Sequence, residues 1–125
     1  MKKILLCALA VFSLSLTSCN NQKDPEKVAQ DFVEALQKSD AENMAKLMYG
    51  YEEASEENRE EGIKRLQEEI SSLDQDEKEF LENMTIEDIN VKEEEERAKV
   101  TLKYQDAEET LRLRKENGKW VIEDF

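Results

Sequence analysis

The chain has 125 residues, with 31 Asp and Glu against 18 Lys and Arg, a formal charge of −13, and no histidine. That length supports one hydrophobic core and not two. The acidic excess argues against nucleic acid, whose phosphates need Lys and Arg, and the missing histidine removes the commonest general base and metal ligand.

Lys2 and Lys3 open the chain, and Ile4 to Leu16 is an uncharged apolar run followed by small and polar residues. A spanning helix needs about 20 apolar residues, so residues 1–18 read as a secretory signal instead. Leu16-Thr17-Ser18-Cys19 resembles the bacterial lipobox: an aliphatic residue, any residue, a small residue and Cys. The resemblance implies cleavage before Cys19, a diacylglyceryl group on its sulfur and usually an acylated new amine. The implied partner is a membrane, held through this N-terminal lipid. One acyl chain holds marginally, whereas two or more hold firmly. An ordinary secretory signal with an incidental Cys19 is the alternative.

On the lipobox reading Cys7 leaves with the signal and Cys19 is consumed by lipid, so no thiol remains for a disulfide, a metal or a nucleophile. Removing 18 of 125 residues leaves 107, and losing Lys2 and Lys3 takes the formal charge to −15. Such a body should not spread over anionic headgroups. Residues 19–24 form a short tether, in which Asn20-Asn21-Gln22-Lys23 spans less than about 20 Å when extended. Asn20 is not the Asp that commonly retains such lipoproteins in an inner membrane. By resemblance this implies the cell envelope, at the outer membrane of a Gram-negative cell. Gln22-Lys23-Asp24 resembles part of a surface-sorting tag, offset by one residue, and the periplasmic or surface side stays open.

A single domain, 25–125, follows. Asp24 suits a helix N-cap and Pro25 the first helical position. Val28, Ala29, Phe32, Ala35 and Leu36 recur at helical spacing. Ser39 to Glu42 is a second start signal, with Met44, Leu47, Met48 and Tyr51 as its apolar face and Gly50 as its stop. Ile63, Leu66, Ile70 and Leu73 predict a third helix from about Ser55 to Leu73. Gly62 weakens its first half by about 1 kcal/mol relative to Ala. Phe80, Leu81 and Met84 suggest a short helical turn.

From Ile86 the period changes to two. Glu116-Asn117-Gly118-Lys119 is a strong hairpin cue, pairing Leu113 with Ile122 and Arg112 with Glu123. A turn at Asp106-Ala107 would pair Val100 with Leu113, and one at Glu94-Glu95 would pair Ile89 with Val100 and Val91 with Ala98. One apolar row, Ile89, Val100, Leu113 and Ile122, then crosses four strands. The opposite face carries Lys92, Arg97, Lys99, Lys103, Arg112, Arg114 and Lys119 against Asp88, Glu116 and Glu123, with Ile86, Val121 and Phe125 among them. That face reads as a solvated surface laced with cross-strand ion pairs, or as a cationic site for an anionic ligand or acidic helices.

No catalytic constellation emerges. Gly50, Gly62 and Gly118 form no phosphate loop, Asp74, Asp76 and Glu82 fall short of a calcium loop, and Glu93-Glu94-Glu95-Glu96 reads as a solvated run. No catalytic residue, metal ligand or cofactor is expected.

The order of elements predicts an α+β fold, with N-terminal helices packed on one face of a curved four-stranded antiparallel meander sheet. Asp24-Pro25-Glu26-Lys27-Val28-Ala29-Gln30-Asp31-Phe32 and the closing Asn117-Gly118-Lys119-Trp120-Val121-Ile122-Glu123-Asp124-Phe125 resemble small bacterial lipoproteins of the nuclear transport factor 2-like, cystatin-like superfamily, some of lumazine-binding type. The resemblance implies a sheet wrapped around the first helix, often with a cone-shaped pocket. Enzymes of that superfamily place Asp, Tyr or His in the cone, while many relatives only bind or dimerise. Three readings follow. The first is a non-catalytic envelope lipoprotein that binds an envelope protein or itself as a homodimer. The second is a binder of an unknown small ligand, with Tyr49, Tyr51, Tyr104 or Trp120 near the mouth of the cone. The third is an isomerase- or dehydratase-like enzyme using a buried Asp or Glu with a Tyr. For each aromatic, packing is the default, and Trp120 shares a face with Ile122.

Overall fold

The computed structural model describes residues 21–125. The signal segment 1–18, the cleavage and lipidation expected at Cys19, and Asn20 lie outside the described residues. After a 3-10 turn at Asn21–Lys23 come helices α1 (Pro25–Gln37), α2 (Ala41–Lys46), α3 (Glu56–Ser71) and α4 (Gln75–Asn83). Strands β1 (Thr85–Lys92), β2 (Arg97–Tyr104), β3 (Ala107–Glu116) and β4 (Lys119–Asp124) follow as an antiparallel meander in the order β1-β2-β3-β4. The fold is α+β, with the helices packed on the sheet.

The first helix starts where its sequence dictates. The Asp24 side chain accepts a hydrogen bond from the Glu26 N–H at 3.0 Å, and Pro25, which has no N–H to leave unpaired, follows it. Its apolar stripe, with Val33 added, is buried. This stripe meets Val100, Leu102, Leu111, Leu113, Trp120 and Ile122 from the sheet and Met84 from the end of α4. Burying each such large side chain is worth about 1.5–3 kcal/mol, so this layer is the main source of stability.

The second helix begins one residue later than the Ser39 signal suggests. Asp40 is the N-cap, accepting from the Asn43 N–H at 3.2 Å, while Ser39 takes φ +56 as the link from α1. It also stops early, at Lys46. Leu47 and Met48, expected on a helical face, instead join Tyr49 in bonding the outer edge of β4. Met48 forms a parallel bridge to Ile122; the Ile122 N–H donates to the Leu47 carbonyl and the Tyr49 N–H to the Ile122 carbonyl, both at 2.8 Å. An edge strand offers a row of unpaired backbone groups, and satisfying them outweighs one more turn of helix.

The β1–β2 register is the expected one: Ile89 opposes Val100 and Val91 opposes Ala98. A bulge between Ile86 and Asp88 moves Ile86 off the outer face, where simple alternation put it, and packs it against the core. The β2–β3 turn lies at Gln105-Asp106 instead of Asp106-Ala107, with Gln105 at φ +56. Val100 therefore opposes Leu111, and Leu113 opposes Ala98. The slip is two residues, so every apolar side chain keeps its face. At the β3–β4 hairpin Asn117 and Gly118 both have positive φ, and Leu113 opposes Ile122 as expected. A second irregularity between Arg112 and Leu113 makes Asp124, not Glu123, the partner of Arg112. It also returns Phe125 to the helical side, where its ring meets Phe32 edge-on at 6.0 Å.

Candidate functional site

Two helices frame the site without joining the core. The α3 cap is Ser55, whose Oγ accepts from the Asn58 N–H at 3.2 Å. The α4 cap is a reciprocal box. The Asp74 carboxylate accepts from the Glu77 N–H at 2.8 Å, and the Glu77 carboxylate accepts from the Asp74 N–H at 3.2 Å. This box makes a nine-residue helix of what Phe80 and Leu81 alone suggested was a turn. Neither α3 nor α4 has a buried residue. Leu66, Ile70, Leu73, Phe80 and Leu81 are half-buried.

Those side chains line a half-open cleft of about 660 Å³. Its floor is Phe32, Leu36, Met44 and Met48, next to the closed core. Ala107 and Phe125 also line it. The rim is acidic: Glu69, Asp76, Glu77, Glu109, Glu123 and Asp124. Glu123 is paired with Arg97, and Asp124 with Arg112 at 3.3 Å. Among the described residues the carboxylates of Glu69, Asp76 and Glu109 have no such partner. The cleft exists because the narrow stripe of α3 lies over the floor without sinking into it. The stripe itself was legible in the sequence. Its neighbours at the ends of β3 and β4 were not, because strand ends meet helices only through topology.

The four aromatic candidates lie elsewhere. Tyr49 and Tyr51 border a smaller cleft of about 270 Å³ with Arg59, Gly62 and Leu66. Arg59 stacks 4.5 Å above the Tyr51 ring and donates to the Tyr51 and Glu52 carbonyls at 2.8 and 2.7 Å. Arg114 stacks 4.6 Å from the Tyr49 ring, which is 51% exposed. The Tyr104 hydroxyl donates to Glu79 Oε1 at 3.2 Å and accepts from Gln105 Nε2. Loss of solvent, then the Glu79 charge, holds the Tyr104 phenol above the ordinary tyrosine range. Trp120 is fully buried in the core, and its Nε1 has no hydrogen-bond partner among the described residues. Its carbonyl accepts from Gln22 Nε2 at 3.3 Å, so the segment expected to be a solvated tether lies partly against the body.

The outer sheet face carries cations beside acids. Arg97 pairs with Glu123, Lys103 with Glu87 at 3.6 Å and Lys119 with Glu52 at 2.7 Å. The expected Arg112–Glu123 pair is replaced by Arg112–Asp124. These contacts match a solvated, cross-paired surface, where each pair adds little stability. Val121 is nevertheless buried there, opposite Arg114.

Among the described residues no group of three or more Cys, Asp or Glu is placed to hold a metal ion, and no helix is long and apolar enough to cross a membrane. No family model, curated protein or solved structure matches the chain.

Proposed function

We propose that this chain is a lipid-anchored cell-envelope protein whose domain binds another molecule in the cleft between α1, α3 and α4 without transforming it. The observation that carries the binding reading is an open apolar cleft beside a closed core. A monomer leaves such a volume open at a cost in buried apolar area, and about 660 Å³ falls within the range of ligand sites. Catalysis by acid and base calls for a carboxylate held among apolar groups with a positioned partner. Here Glu69, Asp76, Glu77, Glu109 and Asp124 are exposed at the rim, which favours binding.

The anchoring part rests on Lys2, Lys3, the run to Leu16 and Leu16-Thr17-Ser18-Cys19. Asn20 supports placement at an outer membrane. The domain type we propose is nuclear transport factor 2-like, from helices before a meander and the closing Gly118-Lys119-Trp120-Val121-Ile122.

Two measurements test this. Replacing Cys19 by Ala should abolish both membrane partitioning and incorporation of labelled fatty acid; retention of both overturns the anchor. Nile red, a neutral apolar dye, should bind saturably, and Ile70→Gln should weaken it at least tenfold. Binding that is absent, or indifferent to Ile70, overturns the cleft.

A further inference from the structure

The rim and floor of the cleft together specify its occupant more narrowly. Eleven of its seventeen lining residues are apolar, six are Asp or Glu, and none is Lys or Arg. Polar groups stand at the rim and none projects from the floor, so nothing inside would orient a polar small molecule. The long wall is the α3 stripe. Leu66 and Ile70 lie one turn apart, about 6 Å at the helical rise, and Leu73, just past the helix end, extends the apolar wall, which suits the i, i+3, i+4 and i+7 side chains of a second helix.

We propose that the cleft docks a basic amphipathic helix of a partner protein, with its apolar face against Ile70 and Phe80 and its Lys or Arg side chains at Glu69, Asp76 and Glu109. The inference rests on the reading of the cleft as a binding site. Charge decides the sign of the partner. The chain carries −13, and the carboxylates of Glu69, Asp76 and Glu109 have no hydrogen bond or ion pair among the described residues. An acidic helix would bring like charges together across a small gap. A second copy of this chain would offer helices that are themselves acidic, and much of its basic sheet face is engaged by its own carboxylates. A partner with opposite charge meets neither obstacle.

The test uses the full chain as its host delivers it, in nanodiscs of zwitterionic lipid if it emerges acylated, with empty nanodiscs as the blank. The probe is a helical peptide of about 14 residues with Leu at i, i+3, i+4, i+7 and i+11 and Lys elsewhere. Matched controls carry Glu for Lys, or the same residues in scrambled order. The Lys peptide should bind at least tenfold more tightly than either control and should compete with Nile red. Ile70→Gln should weaken it at least tenfold. The exposed double change Glu69→Lys with Asp76→Lys should reverse the preference between Lys and Glu peptides. Equal binding of the two peptides overturns the inference. So does competition by a small hydrophobic amine with none by the peptide, or self-association of the chain abolished by Ile70→Gln. In these three cases Nile red binding would persist and the cleft reading would stand. If Nile red does not bind, both fall.

Discussion

Met48 lies opposite Ile122 in a parallel bridge, and the flanking backbone holds Ile122 from both sides at 2.8 Å. This pairing ends α2, covers the β4 edge and sets Met48 on the floor of the cleft. Tyr49→Pro removes the N–H donated to the Ile122 carbonyl, whose residue is fully buried. Leaving such an acceptor unpaired costs about 1–3 kcal/mol. Urea unfolding should show that loss, whereas Tyr49→Ala, which keeps the N–H, should lose about 0.5–1 kcal/mol from the Arg114 stacking.

Gly62 and Gly118 should respond to Ala in opposite directions. Gly62 sits inside α3 with nothing within 4 Å of where a Cβ would lie. Gly62→Ala should stabilise the protein by about 0.5–1 kcal/mol through helix propensity. Gly118 has φ +80 at the β3–β4 turn, so Gly118→Ala should destabilise by about 1–2 kcal/mol. Thermal and urea unfolding of both variants check the pair.

The α4 cap should matter more than its surface position suggests. Asp74→Ala removes the acceptor for the Glu77 N–H, and losing an N-cap costs about 0.5–2 kcal/mol. Asp74 and Glu77 bond reciprocally, so a double-mutant cycle should give a non-zero coupling between them. Because α4 forms one wall of the cleft, Nile red binding should weaken in the same variants.

Tyr104 gives the pH dependence. Its folded pKa is raised, first by desolvation and then by Glu79, so the folded state favours the neutral phenol. Its contribution is fully present below the unfolded tyrosine value and is lost as pH rises through the higher folded value. Ultraviolet titration should find one tyrosine ionising late. Glu79→Gln should bring it part of the way back, since desolvation remains.

Burial of the terminal ring provides a further check. Phe32 is in the core, whereas Phe125, which meets it edge-on, is 48% exposed. Phe32→Ala should cost about 3–5 kcal/mol, and Phe125→Ala about 0.5–1.5 kcal/mol from the ring contact. Comparable losses in denaturant melts would show that the C-terminus is part of the core.

Local chemistry explains what could be read early. Asp24-Pro25 and Asn117-Gly118 act through their own backbone geometry, so helix start and hairpin were legible without any neighbour. The Asp74–Glu77 box was equally local and was missed in favour of the short apolar pattern at Phe80 and Leu81. The cleft rim was not legible, because Glu109 lies far in sequence from Glu69 and Asp76 and all three look like any other carboxylates in an acidic chain. Tyr49, Tyr51, Tyr104 and Trp120 stood out by residue type, yet none lines the larger cleft.

By itself the sequence determined the element order and the face of the central apolar rows, because periodicity survives even a two-residue slip of register. It also carries the lipobox-like Leu16-Thr17-Ser18-Cys19, a signal read from residue identity alone. Tertiary structure decided where α2 ends, which way Ile86 and Phe125 face, and which carboxylates surround an apolar trough. Each of these depends on a group from another element: the β4 edge for α2, the bulges for the two side chains, and the strand ends for the rim. Contacts across elements lie beyond the reach of any local pattern, and in this protein they create the candidate site.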